Sequence, residues 1–133
     1  MLLDAAVPFA EKMLAQYGEF FPYGGALNAK SEYSEIGAYD GNEHPASKDV
    51  IDLLKRGFVQ GAKSGKYRAT ALIYDVKVRL PNSQDKSDAI AVALDHKDNY
   101  SVVVYLPYKL KDGKLVYGQT YAEKGKADIF NAQ

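Results

Sequence analysis

The sequence predicts an α+β domain: an antiparallel sheet of five to six strands with two helices on one face. Three observations carry this expectation. Residues 67–80 and 88–96 alternate apolar and polar side chains with period two, the signature of strands. Residues 2–17 and 50–62 instead repeat apolar side chains every three to four positions, the signature of helices. Turn-forming runs such as HKDN and KDG separate the remaining apolar segments at hairpin spacing.

The first helix is read from Leu2, Leu3, Ala6, Phe9, Ala10, Met13, Leu14 and Tyr17, with Asp4 as its cap and Gly18 as its stop. Pro8 is expected in or near the first turn, because deeper in a helix it would break a backbone bond. FFPYGGAL (20–27) follows. Pro22 and the paired glycines mark the hand-over from helix to sheet, with Phe20 or Phe21 in the core and Tyr23 bordering a shallow pocket. A hairpin over 26–39 and a polar loop, DGNEHP, lead to the second helix. Ser47 caps it, Asp49 lies in its first turn, an apolar stripe runs from Val50 to Ala62, and Gly65 ends it.

The second half reads as strands: YRATALIYDVKVRL, DAIAVALDH, YSVVVYLPY and KLVYGQTY. Alanines recur on one face of two of these strands, and Gly57 and Gly61 notch the second helix. Small residues on both partners suggest a helix nesting closely on the sheet, which places both helices on the same side. The predicted order is α-β-β-α-β-β-β-β. In outline it resembles the roadblock and profilin-like folds without their C-terminal helix, a likeness of architecture alone. The tail, GKADIFNAQ, is expected to dock Ile129 and Phe130 or to fray.

A length of 133 residues suits one domain spanning 1–133. Seventeen basic residues balance seventeen acidic ones, giving no general attraction to nucleic acid or to anionic membranes. No apolar run approaches the roughly twenty residues that span a bilayer, and the start lacks a basic leader, so the expectation is a soluble cytoplasmic protein. The absence of cysteine removes disulfides and thiolate chemistry.

Catalytic and metal constellations are sparse. His44 and His96 show neither HxH nor HxxxH spacing, and both fall at loop or turn positions. Ser87 and Asp88 open a strand without a GxSxG elbow, and GGALNAKS is not a phosphate loop. No catalytic residue, metal site or cofactor is predicted. Asp75 stands out as a carboxylate in mid-strand, suited either to acid–base work in a cleft or to an exposed pairing with Lys77, Arg79 or a cross-strand partner. The chain's eleven tyrosines are its most distinctive residues, against five phenylalanines and no tryptophan. Tyr100, Tyr105, Tyr108, Tyr117 and Tyr121 gather in the last strands. Tyrosine suits half-wet interfaces, although aromatic residues also favour strands for their own sake.

FFPYGGALNAKSE, KSDAIAVALDHKD and VVYLPYKLKDGKLVYG together resemble the recurring blocks of a family of small single-domain bacterial proteins of unknown function. In that family an aromatic-Pro-aromatic-Gly-x-Ala-Leu stretch precedes the second helix, and a Ser-Asp-Ala strand leads to a Leu-Pro-Tyr strand. The resemblance implies a bacterial source and one compact domain. It carries over no activity and no catalytic residue.

Two functional expectations follow. The first is a non-catalytic module, immunity-type or regulatory, that meets another protein through a tyrosine-rich sheet face bearing Tyr105, Tyr108, Tyr117 and Tyr121. Self-association through the last strand, as an exposed edge, is compatible with either expectation. The alternative is a small-ligand binder or enzyme with a shallow cleft where Tyr23, Asp75 and His96 converge.

Overall fold

In the computed structural model, which describes residues 2–37, 47–81, 84–98 and 100–130, two helices and seven strands follow one another along the chain. They are α1 (Leu2–Tyr17), β1 (Tyr23–Asn28), β2 (Tyr33–Ile36), α2 (Ser47–Lys63), β3 (Tyr67–Arg79), β4 (Lys86–His96), β5 (Tyr100–Lys111), β6 (Lys114–Tyr117) and β7 (Tyr121–Lys124). The strands form one antiparallel sheet in the order β2-β1-β3-β4-β5-β6, with β7 also paired to β5. The α+β class and the antiparallel sheet are as predicted. The order gains a strand because KLVYGQTY is two elements: β6 pairs with residues 108–111 of β5, and β7 pairs with residues 102–105. The DGNEHP loop and His44 lie outside the described residues.

The two helices do not share a face. α1 packs Ala6, Val7, Ala10 and Leu14 against Tyr23, Ala71, Ile73, Ile90, Val92 and Tyr108. α2 packs Val50, Leu54 and Phe58 against Leu72, with Tyr74, Ala93 and Tyr67 beside them. Residues 71 and 73 point one way from β3 and residue 72 points the other, so the helices sandwich the sheet. The register explains the correction. Ala71 lies opposite Leu94, whereas Ala89, Ala91 and Ala93 lie opposite Val76, Tyr74 and Leu72. The alanines of β3 and β4 therefore open onto opposite sides, and neither side is a continuous shallow trough for both helices.

The glycine notch also works differently from the expectation. A Cβ on Gly61 would run into the Tyr67 ring, whereas one on Gly57 would meet open space. The close approach is thus between α2 and the start of β3. The more important notch is in β1, where a Cβ on Gly24 would lie 2.5 Å from Phe58 Cζ. Gly24 lets the fully buried Phe58 ring drop onto the backbone of the sheet, and burying such a ring contributes about 1.5–3 kcal/mol. Gly65 (φ 78°) ends α2 as predicted, with Lys66 N–H reaching the Gly61 carbonyl at 2.9 Å.

Pro8 departs from expectation as well. It lies inside α1, in the second turn rather than the first. Tyr23 makes this possible. Its hydroxyl accepts a hydrogen bond from Ala10 N–H at 3.0 Å and donates one to the Ala6 carbonyl at 2.5 Å. Those two backbone groups would bond each other in an uninterrupted helix. The phenol is thus inserted into the helical ladder around the proline, a recognised way for a helix to absorb a break. FFPYGGAL accordingly splits its tasks. Phe20 is core, Phe21 is half exposed, Tyr23 repairs α1, and the two glycines admit Phe58 on one face and Tyr33 on the other.

The tail docks. After β7 the chain turns so that Ile129 is buried in the α2 cluster, with Phe130 packed beside it. Gly125 N–H bonds the Ser101 carbonyl at 3.1 Å, and Ala127 N–H bonds Ser101 Oγ at 3.0 Å. A Cβ on Gly125 would collide with that same Oγ. Residues 125–129 form a strap clamped on the first residues of β5.

Candidate functional site

The three residues proposed for a shallow cleft do not meet. Tyr23 is committed to the backbone of α1. Asp75 accepts a hydrogen bond from Tyr108 Oη at 2.9 Å. His96 closes the β4–β5 turn, its Nδ1 accepting Asp98 N–H at 3.1 Å. His96 lies opposite Ala69, six positions along β3 from Asp75, which is about 20 Å of strand. Burial raises the Asp75 carboxyl above its ordinary value while the bond from Tyr108 opposes the rise, and the same burial and bond push the Tyr108 phenol upward.

The tyrosines of the last strands divide between the two faces. Tyr108 and Tyr117 are opposite each other across β5 and β6, and both reach toward α1. Tyr108 belongs to its core, and Tyr117 Oη donates to Glu11 Oε2 at 2.6 Å. Tyr105 and Tyr121 stand on the α2 side, stacked with ring centroids 5.0 Å apart. Tyr105 faces Tyr74 across Ala91, its Oη donates to Glu123 Oε2 at 3.4 Å, and burial pushes its phenol up to about 12. The small Ala91 side chain lets these two phenols meet over β4.

A cavity of about 240 Å³ lies elsewhere, between α2, the sheet and the strap. Its position follows from the pairing register. Three cross-strand rows run over the α2 face: Tyr74–Ala91–Tyr105, Leu72–Ala93–Val103 and Thr70–Asp95–Ser101. Ala93, in the middle row, is too short to fill the space between its larger neighbours. α2 covers the rows from one side with Ile51, Lys55 and Phe58, and the strap covers them from the other with Gly125, Lys126, Asp128 and Ile129.

The polar row carries the chemistry. Thr70 and Asp95 are the two buried polar residues among those described, at 1% and 8% exposure. Ser101 lies opposite Asp95 and stabilises its carboxylate, while its Oγ accepts the strap's Ala127 N–H. Lys55 Nζ and Asp128 Oδ2 pair at 3.0 Å, joining α2 to the strap. Among the described residues no lysine or arginine pairs directly with Asp95, because Lys55 is taken by Asp128. Burial, reinforced by Asp128, lifts the Asp95 carboxyl above the ordinary range, while the Ser101 hydrogen bond and Lys55 pull it back. The result is a largely buried carboxylate beside an apolar space, with the Ser101 hydroxyl next to it. Such a group costs stability unless something offsets it.

Lys55, Thr70, Asp95, Ser101 and Asp128 were not among the residues expected from sequence. One signal was present: Asp95 continues the 89-91-93 alanine alternation into a charged side chain, so it had to face the same side. Its partners come from other strands and the tail, and no local pattern links them.

Among the described residues there is no group of three or more histidine, cysteine, aspartate or glutamate side chains placed to hold a metal ion. No helix among them is long and apolar enough to cross a membrane. Comparison with family models, with curated proteins and with solved structures found no match to the chain.

Proposed function

We propose that this protein binds a small molecule in the cavity beneath the strap, without catalysing its turnover. One observation carries the reading: Asp95 is almost fully buried, opens onto a space of about 240 Å³, and has no cationic partner of its own among the described residues. Buried carboxylates are costly, and a perturbed one facing a concave space is a candidate for meeting a ligand. Binding is favoured over catalysis because Ser101 Oγ accepts the Ala127 amide, which commits that hydroxyl to holding the strap. The test is a thermal-shift screen of small polar compounds against the wild type and Ala93→Leu, a substitution that fills the space. Hits that stabilise the wild type and lose their effect in the filled variant support the reading. Hits that survive the filling, or none from a broad screen, remove it.

A second reading, attachment to another protein, draws support from one place. Leu110, Val116 and Tyr117 are exposed at 39%, 47% and 39% around the β5–β6 hairpin. They lie beside a broader groove of about 560 Å³ that Pro107, Tyr108, Val116, Tyr117 and Tyr121 help to line. Photocrosslinking from position 116, with the adduct sequenced, is expected to give one defined chain. Adducts spread over many chains speak against it.

A further inference from the structure

We infer that the cavity's ligand is a small amine, with its ammonium group on Asp95 and its hydrocarbon body against α2 and the strap. This rests on the ligand-binding reading above and names the chemical class. Three features of the same space lead to it.

The first is the division of its lining. Thr70, Asp95 and Ser101 form one cross-strand row, whereas the remaining wall is largely Ile51, Phe58, Leu72, Val103 and Ile129. A ligand matching this lining has one polar end and one apolar end.

The second is the sign of the polar end. Asp95 supplies a negative charge, and Thr70 supplies a hydroxyl oxygen that can accept a further hydrogen bond. An ammonium brings three donors and a positive charge to that row. An incoming carboxylate would face Asp95 directly, and an alcohol would leave its charge without a counter-ion. The other charges around Asp95 come from both covering elements, Lys55 on α2 and Asp128 on the strap. They neutralise each other as a pair, and Lys126, which also lines the cavity, has an exposed side chain, so the charge held inside is that of Asp95.

The third is size. About 240 Å³ equals roughly eight water volumes at about 30 Å³ each. That is below the usual range for a drug-sized ligand, about 300–1,000 Å³. It suits an amine of a few carbons rather than a nucleotide or a peptide.

The experiment uses butylammonium chloride, sodium butyrate and 1-butanol, matched in carbon number, titrated into the ¹⁵N-labelled full chain. Butylammonium is expected to shift the amides of Thr70, Asp95, Ser101 and Ala127. Butyrate is expected to leave them in place. Asp95→Asn, nearly isosteric, is expected to weaken the butylammonium response at least tenfold. Ala93→Leu, which keeps the carboxylate and removes the space, is expected to abolish it. Should Asp95→Asn fail to fold, Ala93→Leu still decides whether the response comes from the cavity. If butyrate or butanol shifts those amides as strongly as butylammonium, and Ala93→Leu abolishes the shifts, the cavity binds ligands but the amine assignment is overturned. If no probe shifts them, or if all shifts survive Ala93→Leu, both the assignment and the ligand-binding reading fall.

Discussion

Replacing Tyr23 by phenylalanine keeps the ring against Phe9 and Phe20 and removes only the hydroxyl lodged in α1. Two backbone groups lose their partner, Ala10 N–H and the Ala6 carbonyl. Leaving a buried donor or acceptor unsatisfied costs about 1–3 kcal/mol, so the two groups together predict a loss of roughly 2–6 kcal/mol. In a domain of this size that corresponds to roughly 8–25 °C in Tm. Partial re-closure of the helix would bring the loss toward the lower figure. Pro8 should oppose re-closure, since its ring crowds the Asp4 carbonyl and holds the turn open. Pro8→Ala is therefore expected to rescue Tyr23→Phe, with a coupling energy of about 1 kcal/mol or more in a double-mutant cycle. Tyr33→Phe provides the contrast. Its hydroxyl is buried with no hydrogen-bond partner among the described residues, so the same chemical change there should be neutral or stabilising by up to about 1 kcal/mol. Urea denaturation of the four variants and the wild type measures all of this. A Tyr23→Phe loss below about 0.5 kcal/mol, or a cycle with no coupling, would refute the view that the phenol replaces a helical bond.

Further outcomes are expected elsewhere. Gly57→Ala should stabilise by up to about 1 kcal/mol through helix propensity. Gly61→Ala should destabilise by about 1–3 kcal/mol, because its Cβ strikes the Tyr67 ring; both are read from urea midpoints, and equal effects would count against the close approach of α2 to β3. Asp95→Asn should hold or raise the stability of the ligand-free protein at neutral pH. Burial raises the folded-state value of Asp95, so its contribution is fully present below the unfolded value, about 3.9, and is lost as pH rises through the folded one. The variant's advantage should therefore grow as pH rises from about 3 through that window, as followed by Tm; a clear loss at pH 7 would mean the carboxylate is structural. Ile129→Ala should cost about 2–4 kcal/mol by unseating the strap, whereas Asp128→Ala should cost under about 1 kcal/mol, since the pair with Lys55 is partly exposed.

Much of the fold was legible because period-two and helical periodicities are properties of single segments. β3, β4 and both helices are close to where alternation and the stripes put them, and Gly18 and Gly65 stop the helices with positive φ as their positions implied. Register was not legible, since it belongs to pairs of strands. The alanines of β3 and β4 looked alike in sequence, and only the pairing of Leu72 with Ala93 shows that they face apart. Pro8 was misplaced for a related reason. The group that tolerates it belongs to Tyr23, thirteen residues beyond Ala10, and helix rules applied to residues 2–17 contain no such donor. The cavity was missed because Thr70, Asp95 and Ser101 become neighbours only through cross-strand pairing.

The divided partner of β5 bears on how the chain behaves among its own copies. β6 and β7 lie along that strand as separate stretches of four residues each, with residues 118–120 between them outside any strand. A foreign segment seeking to zip onto this margin would gain four positions, meet an interruption, and have to begin again. Long flat margins are what seed fibrils, and a stepped one discourages growth by repeated addition.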